Sequence, residues 1–161
     1  MCFTVYPRLG ILSRAAWDFF VPPYALENVM AQGATVALQG IGFQVSTNGR
    51  FMVFPQGMVE VGWGCNGLDM AITIAFAGLS LGLIFRQPLA SVARFMAIGI
   101  LIAMIANIPR LMLVSIAYVY WGQGWFNFWH GFWGGQVFSA CLFTLYYYLV
   151  VFLTKPAKVS T

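Results

Sequence analysis

Charge is what this chain has least of. Of 161 residues, eight are Lys or Arg, four are Asp or Glu and one is His. Soluble domains carry about 25% charged residues, against 7% here. A soluble fold could not cover its surface with so few. The basic residues are scattered, which excludes a nucleic-acid-binding face and leaves the net charge of +4 to report membrane orientation. Cysteine is scarce as well. Cys2, Cys65 and Cys141 are an odd number without metal-ligand spacing, which excludes a disulfide framework and a cysteine-based metal site. No metal or organic cofactor is implied. Met1 to Gly10 lacks the three-part pattern of a signal peptide, and no internal repeat or low-complexity tract is present.

What remains is apolar length. Hydrophobic residues make up 61% of the chain, enough for three to five spans of ~20 residues. In lipid every backbone polar group must be satisfied within the segment, so spans are helices or closed barrels. The apolar runs are continuous where barrel strands would alternate. The expected fold is therefore an all-α polytopic membrane protein, a helical bundle.

The segments differ in character. In residues 1–23, Arg8, Arg14 and Asp18 interrupt the apolar residues and Pro22-Pro23 stops any helix. This segment reads as an interfacial piece or the remnant of a longer N-terminal region. Residues 24–41 read as a weakly apolar helix broken by Glu27, Asn28, Gln32 and Gln39. Asn48-Gly49 and Pro55-Gln56-Gly57 separate short β-prone runs, a hairpin signal. Two or three strands outside the lipid are expected to deliver the chain to Cys65. Residues 67–85 form a span whose one charge is Asp69, ended by Arg86-Gln87-Pro88. Residues 90–108 form the next. Residues 111–121 either extend that helix around Pro109 or lie at the interface. Residues 122–130 read as an aromatic loop, and Phe132 to Leu153 as the last span, followed by Lys155 and Lys158.

Arg86 and Arg94 bracket one short loop, which positive-inside bias puts in the cytoplasm. Cys65, Arg110 and His130 then fall together on the opposite face. Cys65 stands between glycines at a helix mouth, where a helix N-terminus or a nearby cation lowers the thiol pKa. Its bland alternative, a small buried hydrophobe, suits Cys141 in mid-span better. Arg110 lies near membrane depth, where ionisable groups are costly. It could stabilise an oxyanion, bind a substrate carboxylate, or serve only as a headgroup arginine. His130 can act as general base and acid, or sit as one more ring of an interfacial aromatic belt. Asp69, four residues after Cys65 and so on the same helix face, complements the helix N-terminus or orients His130 or Asn107. Asn107 caps or bonds near Arg110. Glu60 reads as a solvated strand residue.

Together Cys65-Asn66-Gly67-Leu68, Asn107-Ile108-Pro109-Arg110, and His130 with Gly134 resemble the exosortase/archaeosortase family of membrane transpeptidases. That pattern is a Cys-Gly motif at a helix start, an Asn-x-x-Arg at the end of the next helix, and a His before the last. The likeness covers about residues 25–153, with Asn66 where Ser is commoner, and the Asn66 and Asp69 variant looks cyanobacterial. The resemblance implies a catalytic domain over residues 24–161, with a short extracytoplasmic β-hairpin before the Cys-bearing helix. It implies a multi-pass protein of the bacterial cytoplasmic membrane, its active site facing outward. By resemblance Cys65, Arg110 and His130 are catalytic, and Asn66, Asp69 and Asn107 support them. The implied partners are exported proteins with a C-terminal sorting signal. Cys65 would cleave that signal through a thioester and pass the product to an acceptor. The rival readings are a non-catalytic assembly or signal-binding membrane protein, and a transporter subunit. The second fits poorly with spans so poor in polar residues.

Overall fold

A computed structural model describes residues 24–154. The N-terminal segment 1–23, with Cys2, Arg8, Arg14 and Asp18, lies outside the described residues, as do Lys155 and Lys158.

Helix α1 spans Ala25–Gly40. Its buried stripe, Glu27, Met30, Ala31, Ala34, Thr35 and Leu38, recurs at three- and four-residue spacing, so one face packs. Three short strands follow: β1 Ser46–Asn48, β2 Phe51–Phe54 and β3 Gly57–Glu60. They form one antiparallel sheet in the order β1-β2-β3. The expected hairpin is thus extended by a third strand. Met52 and Phe54 point inward and join Val45, Val61 and the α1 stripe in one apolar cluster with Leu111.

A 3-10 turn, Trp63–Cys65, leads into helix α2, Leu68–Ile84. This corrects one expectation. Cys65 precedes the helix instead of riding on it, and Gly67 at φ 84° breaks the register between Cys65 and Asp69. The two therefore share no helix face. At the far end Arg86 takes a left-handed φ of 48°. Its N–H bonds Leu83 O at 3.0 Å, and the Gln87 N–H bonds Gly82 O at 2.9 Å. These two bonds close a Schellman turn, and Pro88 then starts the next helix.

Helix α3 spans Leu89–Ile116 and continues through a π-turn at Ala117–Trp121. Residues 111–121, left open by the sequence, extend the helix, with Pro109 inside it. Helix α4, Gln123–His130, replaces the expected aromatic loop. Contacts within it recur at helical spacing. The Gln123 side-chain amide donates to Asn127 Oδ1 at 3.0 Å, and Trp121–Trp125 and Phe126–His130 are ring pairs, all four residues apart. Helix α5 is Phe132–Thr154.

Among the described residues, Leu89–Trp121 and Phe132–Thr154 are long and apolar enough to cross a membrane. Helix α2, with 17 residues, is shorter, and it packs closely on α3. A Cβ on Gly78 would meet the Tyr146 hydroxyl, and the Met96 backbone at 3.2 Å. That close approach lets Tyr146 of α5 reach between the two helices and donate to Phe95 O at 2.7 Å. Such small-residue contacts are how helices pack without a hydrophobic drive between them. Met70, Ala71, Ile74, Phe95, Ala103, Leu142, Tyr146 and Val150 form this second cluster, and Met104 packs against both. From Leu89 to Asn107, α3 rises about 27 Å. Past that level it leaves the three-helix core and runs on beside the sheet.

Candidate active site

The polar groups gather where the two clusters meet. Asn66, buried to 0% exposure, anchors the turn that carries Cys65. Its Oδ1 accepts the Leu68 N–H at 3.0 Å, satisfying one of the orphan donors of α2. Its Nδ2 donates to Glu27 Oε1 at 3.2 Å, tying the turn to α1. Gly67 is required twice over. Its φ is left-handed, and a Cβ there would lie 2.9 Å from the Asn107 side chain.

Asn107 fills that gap. Fully buried, it donates from Nδ2 to the Cys65 carbonyl oxygen at 2.9 Å. Its Oδ1 accepts from Arg110 Nη1 at 3.5 Å, one helical turn further along α3. The same Nη1 approaches Met70 Sδ at 3.8 Å. Arg110 Nε is buried without a partner among the described residues.

Cys65 Sγ lies 3.2 Å from His130 Nε2. Helix α4 makes this possible, because it turns the chain back from the end of α3. The ring of Phe126, one turn earlier, stacks on His130 with centroids 4.9 Å apart and planes at 19°. The His130 pKa is lowered from its ordinary value, first by burial and then by the positive charge of Arg110. Near neutral pH the imidazole is thus largely uncharged and can accept the thiol proton.

Of the residues singled out in the sequence, the structure brings Cys65, His130, Asn66, Asn107 and Arg110 into one neighbourhood. Arg110 reaches Cys65 through Asn107. Asp69 stands apart: it is exposed in the first turn of α2, and no hydrogen bond joins its carboxylate to His130 or Asn107 among the described residues. That geometry fits the helix-dipole role. Cys141 is exposed on α5, away from the cluster, so the buried-hydrophobe expectation for it fails. Glu60 pairs with Arg50 at 2.8 Å, so it is an ion-pair residue as well as a half-exposed one.

Glu27 is the residue that sequence reasoning passed over as a mere interruption. A signal was available. It falls on the 27-31-34-38 stripe, so a packed α1 must bury it, and a buried carboxylate needs a partner. Among the described residues no group of three or more His, Cys, Asp or Glu could hold a metal ion.

A cleft of about 310 Å³ opens on the pair, lined by Cys65 and His130 together with β3, the last turns of α3 and Phe126 of α4. Its volume lies at the lower end of the ~300–1,000 Å³ usual for binding pockets.

Compared with known proteins, residues 11–147 match the family model described as Transmembrane exosortase (Exosortase_EpsH). None of the curated proteins and none of the solved structures gives a significant match.

Proposed function

The chain belongs to the transmembrane exosortase family, and from that membership we propose that it is a membrane cysteine transpeptidase or peptidase in which Cys65 is the nucleophile. The observation that carries this reading is the 3.2 Å approach of Cys65 Sγ to His130 Nε2, a nucleophile–base distance. Among the described residues, the same chain has two helices long and apolar enough to cross a membrane.

The steps follow from the pair. His130 Nε2 takes the thiol proton, and the sulfur attacks the carbonyl carbon of the scissile peptide bond. The C–N bond breaks, and the departing amine takes the proton back from His130. A thioester on Cys65 remains. An acceptor nucleophile, or water, then attacks the thioester, again with His130 as base, and the thiol is restored. Arg110 favours the thiolate and the developing oxyanion by its charge. Its buried, unpartnered Nε is a donor in want of an acceptor, which a substrate oxygen would supply. Asn107 holds the backbone of Cys65 in place, and Asn66 holds the turn.

The substrate in this reading is the C-terminal sorting signal of an exported protein. The Arg86 turn and Arg94 stand at the cytoplasmic end of a multi-pass bundle in the inner membrane. The Cys65 end then faces outward, where exported substrates are. The test is co-expression with an exported protein from the same genome bearing a C-terminal sorting signal. Wild type processes it and Cys65→Ala does not. Equal processing by both would leave the chain a signal-binding protein without catalysis.

A further inference from the structure

We infer that the open edge of β3 is the substrate-binding strand: an extended stretch of substrate polypeptide adds to the sheet as a fourth strand and is thereby laid across Cys65. The inference rests on the cysteine reading of the site and concerns how that site holds its substrate.

Strand β3 is an edge of the sheet, since the order is β1-β2-β3. The Val61 N–H bonds Arg50 O at 3.0 Å, which fixes the phase of the ladder. In an antiparallel pair the bonding residues alternate, so Val61, Val59 and Gly57 address β2. The N–H and C=O groups of Met58 and Glu60 then point the other way, toward the edge. The cleft lies along that edge, because side chains from both faces of β3 line it: Met58 and Glu60 from one face, Val59 and Val61 from the other. Its opposite wall is the end of α3, including Val114 and Tyr118, and Cys65 and His130 line the same cleft. Among the described residues, the distal edge, β1, has no cysteine beside it. Its neighbouring hollow is lined by residues 44–46 and 53–55.

An edge strand presents unpaired donors and acceptors and invites a further strand. Here the edge is four residues long and leads through Gly62 into the turn that carries the thiol. Backbone pairing supplies affinity that tolerates sequence, while alternate side chains set preference. The occupant is thus a peptide in β conformation, with every second side chain turned toward the apolar wall of α3.

The test compares two electrophiles on the full-length protein in detergent micelles: a capped tetra-alanine chloromethyl ketone, and chloroacetone, which has the same warhead and no peptide. In each reaction the Cys65 sulfur displaces chloride from the methylene carbon. A C–S bond forms, the C–Cl bond breaks, and the thiol proton passes to His130 or water. The rate is read by mass spectrometry on the peptide containing Cys65, with Cys2 and Cys141 distinguished by their own peptides. The peptide reagent should react about tenfold faster, as expected for one or two added hydrogen bonds. N-methylating its amides at one alternate set of positions should abolish the gain, and methylating the other set should leave it. Met58→Pro, which removes an edge-facing N–H at a position where strands tolerate proline, should abolish the gain of the peptide reagent over chloroacetone, both rates being read on that variant. If chloroacetone reacts and the peptide gains nothing, or both methylated sets behave alike, edge pairing is overturned while the nucleophile stands. If neither reagent labels Cys65, both readings fall.

Discussion

Asn107 Nδ2 donates to the carbonyl oxygen of Cys65 at 2.9 Å, and this one bond fixes the Cys65 turn to the long helix that carries Arg110. The two residues are 42 positions apart in sequence. Both polar ends of the Asn107 side chain are used, one on the Cys65 backbone and one toward Arg110.

Asn107→Ala should therefore act on position more than on the thiol itself. It removes the Asn107 hydrogen bond to the Cys65 carbonyl oxygen, at a cost of about 1–3 kcal/mol. Substrate processing should fall at least tenfold, while Cys65 stays reactive toward a small alkylating reagent. Parallel processing and alkylation assays check this.

Glu27 and Asn66 form the second tie. Glu27→Gln retains an acceptor oxygen and should keep the turn in place. Glu27→Leu leaves the Asn66 amide without its partner in a buried site and should cost about 1–3 kcal/mol. Thermal unfolding in detergent should rank wild type, Gln and Leu in that order.

Gly67→Ala should be more damaging than either. A left-handed φ costs an L-residue about 1–2 kcal/mol, and the added Cβ meets Asn107. Gly124→Ala is the control, because a Cβ there meets nothing within 4 Å. Folded yield and processing should fall for the first variant and hold for the second.

The pH dependence follows from His130. Its pKa is lowered by burial and by Arg110, so the neutral base persists below the ordinary value of about 6.5. The acid limb of processing should therefore lie below that value. Arg110→Gln removes a positive charge that opposes imidazolium formation, so the His130 pKa rises and the limb moves to higher pH. A rate–pH profile for the two proteins checks the direction. An unmoved limb would separate Arg110 from the pair.

The parts of the molecule legible in the sequence are those with local causes. Apolar length marked the helices, Asn48-Gly49 the strands, and Arg86-Gln87-Pro88 the turn between α2 and α3. Topology alone put Cys65, Arg110 and His130 at one end. Three features were misread or left open. Pro breaks or kinks most helices, yet here α3 passes through Pro109, and beyond it Leu111 packs in the cluster of α1 and the sheet and Ser115 meets Met52 of β2, contacts between distant segments. Gly122 to His130 read as an aromatic loop, although the contacts that accompany its helix, Gln123–Asn127 and Phe126–His130, are local. Glu27 read as a break in a weakly apolar helix; the stripe marks it as buried, but nothing local names Asn66, 39 residues on, as its partner, because that contact depends on packing between distant segments.

The central claim is that Cys65 carries the substrate as a thioester. The direct measurement is acid-quenched mass spectrometry of the protein isolated while it processes a co-expressed substrate. The account predicts an acyl adduct on the Cys65 peptide, released by hydroxylamine and absent from Cys65→Ala, which should also leave the substrate uncut. Substrate cleaved at the wild-type rate by Cys65→Ala would contradict it.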